Sequence, residues 1–152
     1  MKRMKKRLTS KTRISVQLRR RIAQKAGFQC GYCRCSTLLT GVPLEIDHII
    51  PEAAGGISEE SNLWLACVMC NKIKGIQTHA RDPVTGKQVR LYNPRTQRWQ
   101  DNFEWSRDGL EIIGKTRCGR ATVKALQLNR PYAVVARRNW ISADLHPLKE
   151  KL

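Results

Sequence analysis

Four of the six cysteines form two identical C-x2-C pairs, which are Cys30 with Cys33 and Cys67 with Cys70. Two thiolates at this spacing lie on one tight turn and can both reach a Zn2+ ion at about 2.3 Å, and two such turns complete a tetrahedron. A four-thiolate site has no open coordination position, so it indicates a structural metal. Cys35 is the alternative fourth ligand in place of Cys33, and Cys118 has only a packing interpretation.

A polar stretch between the two pairs contains Asp47 and His48. Neutral imidazole accepts a proton at cellular pH, which Lys and Arg do not, so His48 is a candidate general base. Asp47 offers a hard oxygen ligand suited to Mg2+ or Mn2+. Neighbouring side chains on a strand point to opposite faces, so a bend or bulge is expected to bring the two together. The alternative for His48 is a strand histidine satisfied by the backbone.

The order of residues in this region resembles the HNH endonuclease family. The matching residues are D-H-I-x-P from Asp47, Gly55-Gly56, Asn62-Leu63, and C-x2-C-N ending at Asn71 with Lys74 three residues later. The resemblance covers residues 29–75, about one third of the chain. It implies a ββα-metal fold and hydrolysis of phosphodiester bonds.

The same resemblance implies a role for each matching residue. It makes Asp47 a ligand of the catalytic ion, His48 the general base, Asn62 the residue that orients the histidine, and Asn71 a second ligand. The commonest family pattern has histidine in place of Asn71, and an amide oxygen suits Mg2+ or Mn2+ better than Zn2+ or Ni2+. The non-catalytic alternatives are a loop cap for Asn62 and a solvated helix position for Asn71.

Short strands and a helix are expected to position the candidate site residues. The pattern predicts a strand over residues 44–50, a break at Gly55-Gly56, a second strand over 63–66 and a helix over 68–75. Strand, strand, helix is therefore the expected order around the polar stretch.

A cationic helix is predicted before the first cysteine pair. Apolar residues recur every fourth position from Ile14 to Ala26, Thr12 or Ser15 is the candidate cap, and Gly27 is the expected end. Either a solvated face or contact with phosphates explains the basic residues here and on the later helix. The candidates for phosphate contact are Arg13, Arg19, Arg20, Arg21 and Lys74.

The segment after Gly75 is rich in turns and aromatic residues. Asp108-Gly109 predicts a hairpin turn between residues 103–106 and 110–113. Helices are expected over 119–128 and 131–140, the second with Asn129 as its cap.

These elements predict an α+β fold: a small ββα-metal core with a structural zinc site, flanked by the N-terminal basic helix and a C-terminal hairpin plus helices. The predicted divisions are a basic flexible arm over residues 1–13, a nuclease core with its leading helix over 14–80, and an extension over 81–152 that packs on the core.

Charge and length limit the classes of protein that fit. The 152 residues carry 29 Lys and Arg against 12 Asp and Glu, a formal net charge of +17, which predicts a polyanionic partner rather than a membrane. This length excludes a large multidomain enzyme. The sequence contains no apolar run near the roughly 18 residues of a membrane span and no secretory pattern, so a cytoplasmic protein is expected.

The combined prediction is a metal-dependent endonuclease acting on DNA, with structural Zn2+ and catalytic Mg2+ or Mn2+. One alternative is a non-catalytic, zinc-ribbon-like nucleic-acid-binding module, which leaves Asp47, His48 and Asn71 unexplained. The other is a nuclease of the same family acting on RNA with the same residues.

The eleven Lys and Arg among residues 1–25 predict electrostatic binding to DNA. If about six phosphates are neutralised, affinity should fall about a thousandfold between about 50 and 200 mM salt, because binding releases condensed counterions. Deleting residues 1–13 should flatten this slope in a fluorescence titration. A binding constant that does not respond to salt would contradict the phosphate-contact interpretation.

Overall fold

The fold mixes six α-helices with three two-stranded antiparallel sheets in the part of the chain that the computed structural model describes, residues 13–147. The α+β class predicted from the sequence is confirmed. The flexible arm predicted for residues 1–13 lies outside the described residues, except for Arg13. Among residues 13–147, no helix combines the length and apolar character that crossing a bilayer requires.

The N-terminal helix α1 spans Val16–Lys25. It begins after Ser15, whose hydroxyl accepts a hydrogen bond from Leu18 N at 3.1 Å, so Ser15 is the cap. Ile22 lies fully buried on the predicted apolar face, where α1 packs against the second strand of the core. The helix ends before Gly27, which adopts a left-handed conformation with φ +62°.

The central unit has the predicted strand, strand, helix order. A short helix α2 (Thr37–Thr40) precedes strand β1 (Glu45–His48), which pairs antiparallel with β2 (Leu63–Ala66), and helix α3 (Val68–Lys74) follows. Strand β1 is shorter than predicted because the backbone pairing stops at Ile50, whose amide bonds to the side chain of Asn62 instead of a strand carbonyl.

The segment after Gly75 contains a hairpin that the sequence analysis read as turns. Strands β3 (His79–Arg81) and β4 (Gln88–Arg90) flank the turn that starts at Asp82. The buried Asp82 carboxylate accepts two hydrogen bonds from Arg120, both at 2.9 Å, and these bonds hold its pKa well below the ordinary range. The ion pair fastens this hairpin to a helix 38 residues away.

The C-terminal part follows the prediction closely. Helix α4 (Trp99–Asn102) leads into β5 (Phe103–Trp105), which pairs with β6 (Ile112–Gly114), and helices α5 (Arg117–Ala125) and α6 (Pro131–Ser142) follow.

Two helix starts in this part differ from the prediction. Helix α5 begins earlier because the Thr116 hydroxyl caps it, accepting from Gly119 N at 3.0 Å. Asn129 is not the cap of α6, since Arg130 occupies that position. The side-chain amide of Asn129 instead accepts from Ile112 N at 2.7 Å and donates to Ile112 O at 2.9 Å.

One hydrophobic core joins the first cysteine segment to the C-terminal part. Tyr32 packs edge-on against Tyr92, which packs edge-on against Phe103, with ring centroids 6.4 Å and 5.0 Å apart. The Trp99 indole donates to the carbonyl of Tyr32 at 3.0 Å. Residues after position 81 therefore support the segment that carries Cys30 and Cys33.

Candidate active site

The structure brings together the four cysteines of the two C-x2-C pairs. All four sulfur atoms lie within 4.8 Å of one another, and the ligand group is Cys30, Cys33, Cys67 and Cys70. A tetrahedral four-thiolate zinc site with bonds of about 2.3 Å has sulfur atoms about 3.8 Å apart. The Cys33 and Cys67 sulfur atoms are 3.7 Å apart. This arrangement indicates a structural zinc site, and Cys35 is not part of the group.

Local backbone bonds build each of the two cysteine turns. In the first, Cys30 N donates to the carbonyl of Cys35 at 2.8 Å, and Gly31 N donates to Leu65 O of β2 at 2.9 Å. In the second, Cys67 is the N-cap of α3, and its sulfur accepts from Cys70 N at 3.3 Å. The cluster therefore fixes the start of α3 against β2.

Mutual hydrogen bonding makes the thiols unequal. Hydrogen bonds from Cys30 and Cys33 hold the pKa of the Cys67 thiol far below the ordinary value, whereas burial raises the pKa of Cys30. Four thiols gathered in one largely buried place are suited to binding a cation, which favours their deprotonated forms.

Arg130 is a partner of the cluster that sequence reasoning missed. Its two terminal nitrogens lie 3.8 Å from the sulfur atoms of Cys70 and Cys67. Burial opposes its charge, but the nearby Cys70, Cys33 and Cys67 raise the guanidinium pKa above the ordinary value. A Zn2+ ion with four thiolates carries a net negative charge, which this cation offsets. No spacing rule connects residues 60 positions apart, so the sequence held no signal for this contact.

Asp47 points into the interior between β1 and α3 and is only 3% exposed. One carboxylate oxygen accepts from the Tyr32 hydroxyl at 2.7 Å, and the other accepts from Lys74 Nζ at 3.0 Å. Burial and the charge on Asp47 raise the pKa of Tyr32, which keeps it a hydrogen-bond donor. The bend or bulge expected beside Asp47 is absent from β1, whose register runs unbroken from Glu45 to His48.

Lys74 has a different position from either alternative in the sequence analysis. It is 1% exposed, and its ammonium group bonds to Asp47 and to the carbonyl of His48 at 2.8 Å. The residue therefore presents no charge to a phosphate in solution in this conformation. The ion pair with Asp47 instead holds the end of α3 against β1.

His48 lies on the opposite face of β1, with its side chain 23% exposed. Its Nε2 atom lies 2.8 Å from Ser58 Oγ and 3.5 Å from Glu52 Oε1. The Ser58 hydroxyl donates its proton to Glu52 Oε1 at 3.2 Å. Neither partner was identified from the sequence, although Glu52 stands four residues after His48.

Asn62 fastens the loop between β1 and β2. Its amide group accepts from Ile50 N at 2.8 Å and donates to the carbonyls of Ile50 and Ile57, each at 2.9 Å. Gly56 must be glycine for this packing, because a Cβ there would lie 1.7 Å from Ile50 O. Asn62 therefore acts on the loop that carries the partners of His48 and makes no hydrogen bond to the imidazole itself.

Asn71 lies on α3 beside the first residue of β1. Its amide nitrogen donates to Glu45 Oε2 at 2.8 Å, which places the side-chain amide beside a carboxylate. Glu45 and Asp47 share one face of β1, because side chains alternate along a strand. Oxygen donors of this kind suit Mg2+ or Mn2+. Glu45 was not among the ligands expected from the sequence.

The basic residues of α1 are exposed, and so is Arg13, three residues before the helix begins. Arg19 and Arg20 face solvent, whereas Arg21 and nearby Lys25 bond to Glu60, at 3.1 Å and 2.7 Å. The helix is thereby attached to the same loop that Asn62 fastens.

The comparisons with known proteins agree with this geometry. Residues 30–77 match a family model described as HNH endonuclease. No curated protein and no solved structure matches the chain.

The cysteine cluster predicts tightly held zinc. Purified protein should retain about one zinc per chain through brief chelation, because structural zinc sites bind with about 10–16 kcal/mol. Arg130→Met removes the adjacent cation and should release zinc to a chelator several-fold faster. Cys67→Ser removes a ligand and should lose both zinc and thermal stability. Elemental analysis and a colorimetric chelator measure these effects.

The matched control is Arg138→Met, which removes an exposed charge from the same helix. Folded protein that contains no zinc would contradict the four-cysteine site. Equal release from Arg130→Met and Arg138→Met would contradict the role of Arg130.

Proposed function

We propose that the chain is a metal-dependent endonuclease that hydrolyses phosphodiester bonds in DNA, and the match of residues 30–77 to the HNH endonuclease model supports this. The main observation behind the proposal is that the two faces of β1 carry different kinds of polar side chain. The half-buried His48 stands on one face beside a carboxylate and a hydroxyl, while oxygen ligands line the other face at α3. A binding module would need neither arrangement.

His48 is the general base in this mechanism. Its imidazole takes a proton from a water molecule as the water oxygen forms a bond to phosphorus. The bond from phosphorus to the 3′ oxygen breaks, and that oxygen, whose charge a divalent ion held by Asp47 and Asn71 would stabilise, takes up a proton from solvent. The products are a 5′ phosphate and a 3′ hydroxyl. General-base assistance of this kind contributes about 10²- to 10⁴-fold to the rate.

Asp47 and Asn71 are the proposed ligands of a divalent ion, with Glu45 as a neighbouring oxygen donor. Such an ion, when bound, stabilises the negative charge that develops on the phosphoryl and leaving oxygens. The side-chain amide of Asn71 bonds through its nitrogen to the Glu45 carboxylate, so one oxygen-bearing side chain lies beside another, and oxygen donors suit a hard cation. Both oxygens of Asp47 already accept hydrogen bonds, from Tyr32 and from Lys74, so Asp47 would hold the ion through a remaining lone pair of its carboxylate.

DNA is the proposed substrate because the cationic surface is extensive. The net charge is +17, and Arg19 and Arg20 face solvent on a helix attached to the loop beside His48. Contacts to phosphates position a protein on a duplex but do not read its sequence. This surface therefore favours binding to nucleic acid without supplying sequence specificity.

Replacing the general base should abolish cleavage and spare the scaffold. His48→Ala should lower the rate of plasmid cleavage with Mg2+ or Mn2+ by about 10²- to 10⁴-fold, because the imidazole that accepts the proton from water is removed. Zinc content, thermal stability and DNA affinity should remain, since His48 is not a zinc ligand. Gel assays of supercoiled plasmid measure the rate.

His79→Ala is the matched control, because His79 is exposed on β3 outside the HNH domain. Equal cleavage by His48→Ala and the parent protein would refute the mechanism and favour a binding module. Competition between plasmid and structured RNA distinguishes the two substrates.

Changing Asn71 should act through the metal. Asn71→Ala should lower activity at a given Mg2+ concentration, with partial recovery at higher concentration, because it removes one oxygen donor. Asn71→His should retain activity but shift the preference toward softer ions, since imidazole suits Zn2+ and Ni2+ better than an amide does. Metal titrations of plasmid cleavage measure both effects. An unchanged metal profile in both variants would exclude Asn71 as a ligand.

A further inference from the structure

Three side chains form a connected group beside the proposed general base. Ser58 Oγ lies 2.8 Å from His48 Nε2 and donates its proton to Glu52 Oε1 at 3.2 Å. Glu52 Oε1 is itself 3.5 Å from His48 Nε2. The two partners come from opposite sides of the loop that joins β1 to β2.

The hydrogen count in this group determines which nitrogen of His48 carries the proton. A serine hydroxyl has one proton, and Ser58 donates it to the carboxylate. An ionised carboxylate only accepts hydrogen bonds. Both atoms that face Nε2 then act as acceptors, and this hydrogen count favours the tautomer in which Nε2 is the donor. In a neutral imidazole the other nitrogen, Nδ1, is then left with its lone pair.

The loop is held rigidly enough to maintain this group. Asn62 bonds to Ile50 and Ile57, which lie next to the two short segments that carry Glu52 and Ser58. Glu52 begins a 3-10 turn that ends at Gly55, whose φ is +90°. On the strand side, Lys74 fixes the carbonyl of His48. The imidazole is thus constrained from both its backbone and its ring.

We propose that Ser58 and Glu52 are positioning residues that hold His48 with its proton on Nε2, so that Nδ1 is the atom that accepts the proton from water. This inference rests on the proposed function of His48 as general base. When Nδ1 takes the proton, the ring becomes cationic, and the Glu52 carboxylate stabilises that charge. The proton moves from water to Nδ1 and the proton on Nε2 stays in place.

The test combines a spectroscopic measurement with kinetics on the full chain. Protein labelled with 15N at its histidines is examined at about pH 8, where neutral rings report their tautomer through distinct nitrogen shifts. The His48 signal is identified by its loss in His48→Ala. The parent protein should show the Nε2-protonated form. Ser58→Ala and Glu52→Ala should show a mixture of the two tautomers.

Kinetics then link the tautomer to the rate. Ser58→Ala and Glu52→Ala should each lower kcat about tenfold or more with little change in KM, because the base is misoriented while substrate contacts remain. Ser58→Thr keeps the hydroxyl and should restore both the tautomer and kcat. Glu52→Gln keeps an acceptor without the charge and should preserve the tautomer while still lowering kcat. Glu59→Gln, which removes an exposed carboxylate from the same loop, should change neither.

The outcomes separate this inference from the proposed function. An Nδ1-protonated ring in the parent protein, or variants with unchanged tautomer and kcat, would overturn the positioning role even if His48→Ala is inactive. Parent protein that cleaves no nucleic acid would refute the proposed function, while the nitrogen spectra would still report whether Ser58 and Glu52 set the tautomer.

Discussion

The four cysteine sulfur atoms must lie within 4.8 Å of one another, although 33 residues separate the first C-x2-C pair from the second. The rest of the core packs around this cluster. The first cysteine turn is bonded to β2 through Gly31, and the second begins α3. Trp99 bonds to Tyr32 within the first turn, so the C-terminal part is connected to the same point. A metal held by the four thiolates would link elements that otherwise share few contacts, which matters in a chain of this size.

Strand β1 has only four residues, yet its two faces serve different purposes. Asp47 faces inward, where Tyr32 and Lys74 bond to its carboxylate. His48 faces outward, where the loop fastened by Asn62 supplies Ser58 and Glu52. The regular alternation of a strand therefore separates the carboxylate that holds α3 in place from the histidine proposed as general base.

Much of this could be predicted from local patterns, whereas contacts between distant residues could not. The cysteine spacing predicted the thiol cluster, and short apolar runs predicted β1, β2 and α3 because these signals lie within a few residues. The β3–β4 hairpin escaped prediction because each strand has three mostly polar residues, and it depends on Asp82 meeting Arg120. The burial of Lys74 and the contact of Arg130 with the sulfur atoms likewise arise only when the elements pack. The roles of His48, Asn62 and Asn71 stay predictions.

The buried pair of Asp47 and Lys74 has a consequence for how this chain can vary. Both side chains are almost inaccessible, at 3% and 2% exposure, and each neutralises the other. Replacing one partner leaves an unpaired charge in the interior, which lowers the free energy of unfolding by about 3–5 kcal/mol. That is a large part of the stability of a small domain. Replacing both with apolar residues of similar volume is often tolerated. For folding alone, positions 47 and 74 should therefore change together in evolution, with single replacements at either position forming a barrier between folded sequences, whereas the proposed ligand role of Asp47 favours keeping the pair.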